Sequence, residues 1–329
     1  NEAAQTWATA TLKVNPGHVG AKLLLAEVDV LERKKDEELV TLLEPIGKGE
    51  GGASVRERAE ALVLLGDLHL GRGRINDAET VFASALSLEP GSATAQRGLA
   101  DALFEAGRYS EAQTRYEAAL KTAPTSLQAG LGLVRCRIRL EELDSARTLL
   151  AQLETAHPES TALRFWAGQV AEQAGDRAAA STAYEKAIKL DQSGAELVGA
   201  YIGLTRILGQ EGKPEAAEVT IAEAQKRFPE DPLVYEALAE LSSSRGSFES
   251  AIADYDRALE LDPGNLGLHF AKAIALRKAQ RFEEATKAFD LVEQKSKDYP
   301  GLALERANLL EASGQGEEAL ALYERALQE

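Results

Sequence analysis

Several things are scarce in this chain, and each scarcity removes a class of answer. Its 329 residues include one cysteine and no methionine, and aromatics make up only 5%. A lone cysteine, Cys136, excludes an internal disulfide framework and a cysteine-based metal site. No apolar run approaches the ~20 residues that a membrane-spanning helix needs, which argues against direct membrane insertion. Positive charge is outnumbered, 37 Lys and Arg against 53 Asp and Glu, for a net charge of −16. Such a balance disfavours nucleic acid, whose affinity comes largely from cationic contacts with phosphates. It equally disfavours an anionic membrane surface. Starting at Asn1 and lacking methionine, the sequence reads as a processed or excised piece. The lack of a leader therefore leaves the compartment open between cytoplasm and periplasm.

What is present is alanine and leucine at regular intervals. Ala78 is followed at steps of 34 by Ala112, Ala146 and Ala180, then after a slip of three by Ala217, Ala251, Ala285 and Ala319. Four residues after each comes a large side chain: Phe82, Tyr116, Leu150, Tyr184, Ile221, Tyr255, Phe289 and Tyr323. A glycine often stands a few residues before the alanine, as at Gly73, Gly107, Gly175, Gly212, Gly246 and Gly314. Prolines punctuate at Pro90, Pro124, Pro158, Pro229 and Pro263. The spacing predicts two helices of about 13 residues per period, since glycine ends a helix in the left-handed region and proline stops the next one.

This pattern resembles the tetratricopeptide repeat family over nearly the whole chain. The resemblance implies an all-α fold, a right-handed α-solenoid superhelix of tandem helical hairpins. Residues 1–15 read as the second helix of a truncated preceding repeat, and 19–58 as a degenerate repeat with a glycine-rich loop, Gly47 to Gly52. Repeats follow at 59–92, 93–126, 127–160, 161–197 with a three-residue insertion, 198–231, 232–265, a divergent 266–299 and a terminal 300–329. The last repeat has no polar capping helix, so self-association through uncapped ends is left open.

Candidate chemical motifs do not survive a spacing test. "GKGEGG" lacks the Ser or Thr after Gly-Lys that a phosphate loop requires, and reads as a flexible loop. His18, His69, His157 and His269 form no i+3 or i+4 metal pair. Glu37-Glu38, Glu141-Glu142, Glu283-Glu284 and Glu317-Glu318 are expected in the first turns of second helices, favouring the dipole's positive end. Cys136 reads as a small buried residue, and Trp7 and Trp166 as packing anchors. No cofactor is implied, and the chain is expected not to be an enzyme.

The resemblance places any site on the inner wall, lined by the first helix of each hairpin at repeat positions 5 and 9 among others. Position 5 reads Leu23, Val63, Arg97, Leu131, Phe165, Ile202, Glu236, Phe270 and Leu304. Position 9 reads Glu27, Asp67, Asp101, Arg135, Gln169, Arg206, Glu240, Ile274 and Asn308. Leu131, Phe165 and Ile202 form an apolar row beside Arg135, Gln169 and Arg206, with Arg97 and Arg139 close by. Such a wall suits a protein or peptide with acidic and apolar side chains, because arginine grips carboxylates with two bonds. Against this stands the plainer role of arginines paired with neighbouring carboxylates. No repeat shows the Lys-Asn pair by which one variant of the family holds chaperone tails; Val63 and Asp67 stand there. The expected function is a non-catalytic protein-interaction scaffold. The alternatives are a targeting arm of a larger enzyme, or a structural part of a bacterial polysaccharide-export or pilus-assembly machine.

Overall fold

The computed structural model describes residues 2–31, 36–190, 192 and 194–326. Among the described residues there are nineteen α-helices, one 3-10 turn and no strand. Their contacts resolve into two compact units, residues 1–159 and 160–329.

The first unit holds α1 (Glu2–Val14), α2 (Val19–Leu31), α3 (Asp36–Lys48), α4 (Val55–Gly71), α5 (Ile75–Leu88), α6 (Ala93–Glu105), α7 (Tyr109–Thr122), α8 (Leu127–Arg139) and α9 (Leu143–Ala156). The second holds α10 (Thr161–Gln173), α11 (Arg177–Leu190), α12 (Ala195–Gln210), α13 (Pro214–Arg227), α14 (Pro232–Ser244), α15 (Phe248–Leu261), α16 (Leu266–Lys278), α17 (Phe282–Lys295), α18 (Leu302–Ala312) and α19 (Gly316–Ala326). Within each unit consecutive helices pack against one another as hairpins. First helices also meet the first helices of neighbouring hairpins: α2 on α4, α4 on α6 and α6 on α8 in one unit, α10 on α12, α12 on α14 and α16 on α18 in the other. These first helices form the wall on which the site is built.

Local sequence explains each hairpin. Ser54, Ser92, Ser126, Ser160, Asp231 and Asn265 cap first helices, each side chain accepting a hydrogen bond from a backbone N–H of the opening turn. His18 does the same for α2, its Nδ1 accepting from the Ala21 N–H at 3.1 Å. At the tip of the hairpin the chain takes the left-handed region, with φ from 69° at Gly73 to 85° at Gly314. Glu141 (φ 60°) and Gln280 (φ 61°) occupy that same place without being glycine. Glu141 and Glu142 therefore lie in the turn, not in the first turn of α9, which begins at Leu143. Glu283-Glu284 and Glu317-Glu318 do sit in first turns.

The periodic alanines are the core. Ala78, Ala112, Ala146, Ala180, Ala217, Ala251 and Ala285 are fully buried, as are Phe82, Tyr116, Tyr184, Ile221 and Phe289. Three of the large rings, Phe82, Tyr116 and Tyr184, seat against glycines. A Cβ at Gly66 would stand 2.5 Å from the Phe82 ring, and one at Gly98, in the following hairpin, 2.2 Å from it. Tyr184 is held in the same way between Gly168 and Gly203.

Three details depart from expectation. The glycine run is loop for less of its length, because α3 continues through Gly47 to Lys48 and a 3-10 turn spans Glu50–Gly52. Helix α4 starts at Val55, ahead of position 59, because Ser54 and Glu57 form a reciprocal capping box. Trp7 is 53% exposed, touching His18 edge-on, so it is no core anchor. The three-residue insertion, Ala195 to Leu197, lengthens the next helix by about a turn, as expected: α12 has 16 residues, against 13 for α10 and α14.

Candidate interaction wall

Position 5 and position 9 side chains of most first helices are neither buried nor fully free; they floor the wall. In the first unit Val63 on α4, Arg97 on α6 and Leu131 on α8 are all half-buried. Arg97 is closely held by its own protein. Its Nη1 donates to Asp101 at 2.6 Å and its Nη2 to Asp67 at 3.5 Å. Tyr116 on α7 donates its hydroxyl to the other Asp101 oxygen. Burial pushes both Asp67 and Asp101 above the usual carboxylate range, and Arg97 partly offsets that. The Asp67–Arg97–Asp101 group, with its carboxylates ionised, carries a net charge of −1.

Arg135 is less committed. Its guanidinium lies 4.2 Å from the centre of the Phe104 ring, and its ion pair with Glu105 is long, at 3.6 Å. Arg139, at the end of α8, is exposed and has no hydrogen bond or ion pair among the described residues. Of the arginines expected at the wall, these two remain available to a partner.

In the second unit Phe165 on α10 and Ile202 on α12 are half-buried. The Phe165 ring lies against Tyr184, with centres 6.0 Å apart, and a Cβ at Gly199 would be 2.6 Å from it. Gln169 donates to the Tyr184 hydroxyl at 2.7 Å, and that hydroxyl donates to Glu172 at 2.9 Å. Arg206 then grips both oxygens of Glu172, its Nη2 at 2.9 Å. Gln169 and Arg206 are thus joined through Tyr184 and Glu172, and Arg206 is neutralised by a partner from the preceding hairpin.

A rule emerges that sequence reading missed. A tyrosine in the second helix bonds the polar residue fifteen positions earlier on the first: Tyr116 to Asp101, Tyr184 to Gln169 and Tyr323 to Asn308. The signal was present at those three, as a tyrosine fifteen residues after a polar position 9; the same spacing joins Glu240 and Tyr255, while Asp67, Arg135 and Arg206 are followed by Phe82, Leu150 and Ile221. Burial raises the pKa of the Tyr116 and Tyr184 hydroxyls, so they act as neutral donors or acceptors.

Between α12 and α14 the wall opens into a pocket of about 360 Å³, lined by Ile202, Thr205, Arg206, Ala237, Glu240 and Leu241 among others. Glu236 and Glu240 lie one turn apart on α14, and neither has a hydrogen bond or ion pair among the described residues. Burial raises both carboxyls; Glu240 raises Glu236 further by its charge, while the Arg206 charge partly offsets the rise at Glu240. Cys136 is buried and its thiol pushed up to about 12, chiefly by that burial, which leaves it a packing residue. Among the described residues no group of three His, Cys, Asp or Glu side chains is placed to hold a metal ion.

Hairpins repeated in this way define a helical-repeat protein. Tetratricopeptide repeat models match residues 63–126, 103–169, 162–193 and 244–300, and a model described as YpiA-like, tetratricopeptide repeats, matches 210–263. The chain belongs to the tetratricopeptide repeat family. It is 30% identical over 134 residues to the mitochondrial import receptor subunit TOM70 of Saccharomyces cerevisiae. That match takes in 38% of this chain and only 22% of the yeast protein. The solved structure of yeast Tom70 superposes with a TM-score of 0.62 at 16% identity, covering 97% of this chain and 80% of that one. A tetratricopeptide repeat protein from Parabacteroides merdae superposes with a TM-score of 0.58 at 18% identity, covering 77% of this chain and 98% of that one. At these identities the structural likeness is one of fold.

Proposed function

We propose that this chain is a non-catalytic protein-interaction scaffold whose first-helix walls receive a protein segment. The observation carrying this reading is the half-exposed apolar side chains on those walls. Leu131, Phe165 and Ile202 each offer surface to an anchor, while the alanines and aromatics beneath them are sealed. A preformed wall lowers the ordering cost of binding, because chiefly the ligand loses freedom. Similarity to part of an import receptor subunit supports a receptor-like role. Acidic side chains of the segment are met in the first unit by Arg135 and Arg139. Arg97 and Arg206 act differently, holding Asp101 and Glu172 in place and so shaping the wall.

The test is a degenerate dodecapeptide library bearing a photo-crosslinker, presented to the full chain. Retained peptides are expected to cross-link to first-helix residues. The Arg135→Glu/Arg139→Glu variant should lose tenfold or more of its affinity for acidic members, with its helical circular dichroism unchanged. Cross-links confined to the outer faces of second helices would contradict the reading.

A further inference from the structure

We propose that the pocket between α12 and α14 is a subsite for one lysine or arginine side chain of a bound protein segment. This rests on the reading of the first-helix wall as the binding surface, and adds what the second unit selects. The floor is apolar: Ile202 from α12, with Ala237 and Leu241 from α14. At roughly 360 Å³ it accommodates an extended four-carbon stem, and long cationic side chains bury their stems while keeping the head at a polar edge.

The polar edge is made for a donor. Thr205 donates its hydroxyl proton to the Tyr201 carbonyl at 2.8 Å, and Ser244 donates to the Leu241 carbonyl at 2.7 Å. With their protons committed to the helices, both hydroxyls can meet a ligand only as acceptors. Glu240 adds a carboxylate at the same lining, and Glu236 a second one turn away. The one cation in the lining, Arg206, is gripped by Glu172 on both oxygens, and its charge reaches Glu240 only at longer range, without an ion pair. Arg206 and Glu172 cancel, so Glu236 and Glu240 leave the ionised group with a net charge of −2, within a chain of net charge −16. An acidic side chain would be repelled there. A neutral apolar one would fill the floor but leave Glu236 without a cation and Glu240 with only the distant charge of Arg206. A lysine or arginine satisfies floor and edge together.

The experiment is a positional-scanning peptide library in which one fixed position carries each natural side chain or norleucine. It is titrated against the full chain and against Glu236→Gln/Glu240→Gln. Removing two repelling carboxylates leaves the fold intact, which circular dichroism checks. The proposal expects lysine or arginine to exceed norleucine at least tenfold at one fixed position, and the double variant to lose that preference. If norleucine equals lysine, or the preference survives in the double variant, the subsite is wrong while the wall stands. If no member of the library is retained, both readings fall.

Discussion

Phe82 shows how one residue enforces the repeat. Its ring fills the space that a Cβ on Gly66 or Gly98 would take, so the three positions constrain one another. Gly98→Ala should destabilise the chain by about 1–3 kcal/mol, the usual effect of overpacking, seen as a lower urea midpoint. Glu141 points the other way. Its left-handed φ of 60° costs a side-chain-bearing residue about 1–2 kcal/mol. Allowing for glycine's greater entropy loss, Glu141→Gly should raise stability by about 0.5–1 kcal/mol. A lower midpoint would show that this turn holds Glu141 by some other contact. Glu236 and Glu240 give a pH-dependent prediction. A carboxyl whose folded pKa is raised binds its proton more readily in the folded state, so stability falls as pH rises through the window above the usual range. At pH 7 the double Gln variant should therefore melt above the parent, and that advantage should vanish as pH falls below the ordinary glutamate range. The alanines and rings were legible because volume leaves a periodic trace. The pairing of Arg97 with Asp101 and of Arg206 with a glutamate stood in the sequence only as an alternative, because charge alone does not say which carboxylate a long side chain reaches.

At the level of the helix, caps and turns decide the boundaries. Ser92, Ser126 and Ser160 recur at steps of 34 and each opens a first helix. Ser126→Ala should cost about 1 kcal/mol, read as faster amide exchange in the opening turn of α8. The early start of α4 was written in the sequence, as Ser54 with Glu57 three residues on, but the alanine register alone hid it. The persistence of α3 through Gly47 was less legible: a glycine there brings close approach, a Cβ meeting Leu62 at 3.0 Å, rather than a break. The tyrosine-to-position-9 bonds matter at this scale too, since they fix the polar row of the wall from behind.

For the whole chain, stability should divide by neighbourhood, because a hairpin's contacts are mostly with the next hairpin in sequence. The loss from Gly98→Ala is expected to appear as weaker exchange protection in α5, α6 and α7, with α16 and α17 unaffected. The net charge of −16 should make association with cationic segments faster at low salt. All of this leads to one claim, that the rows of first helices are the recognition surface. Methyl-labelled NMR of the full chain with a retained library peptide tests it most directly. The account predicts shifts at Val63, Leu131 or Ile202, according to the unit occupied. Shifts confined to Val219 and Leu291, exposed on the second helices α13 and α17, would contradict it.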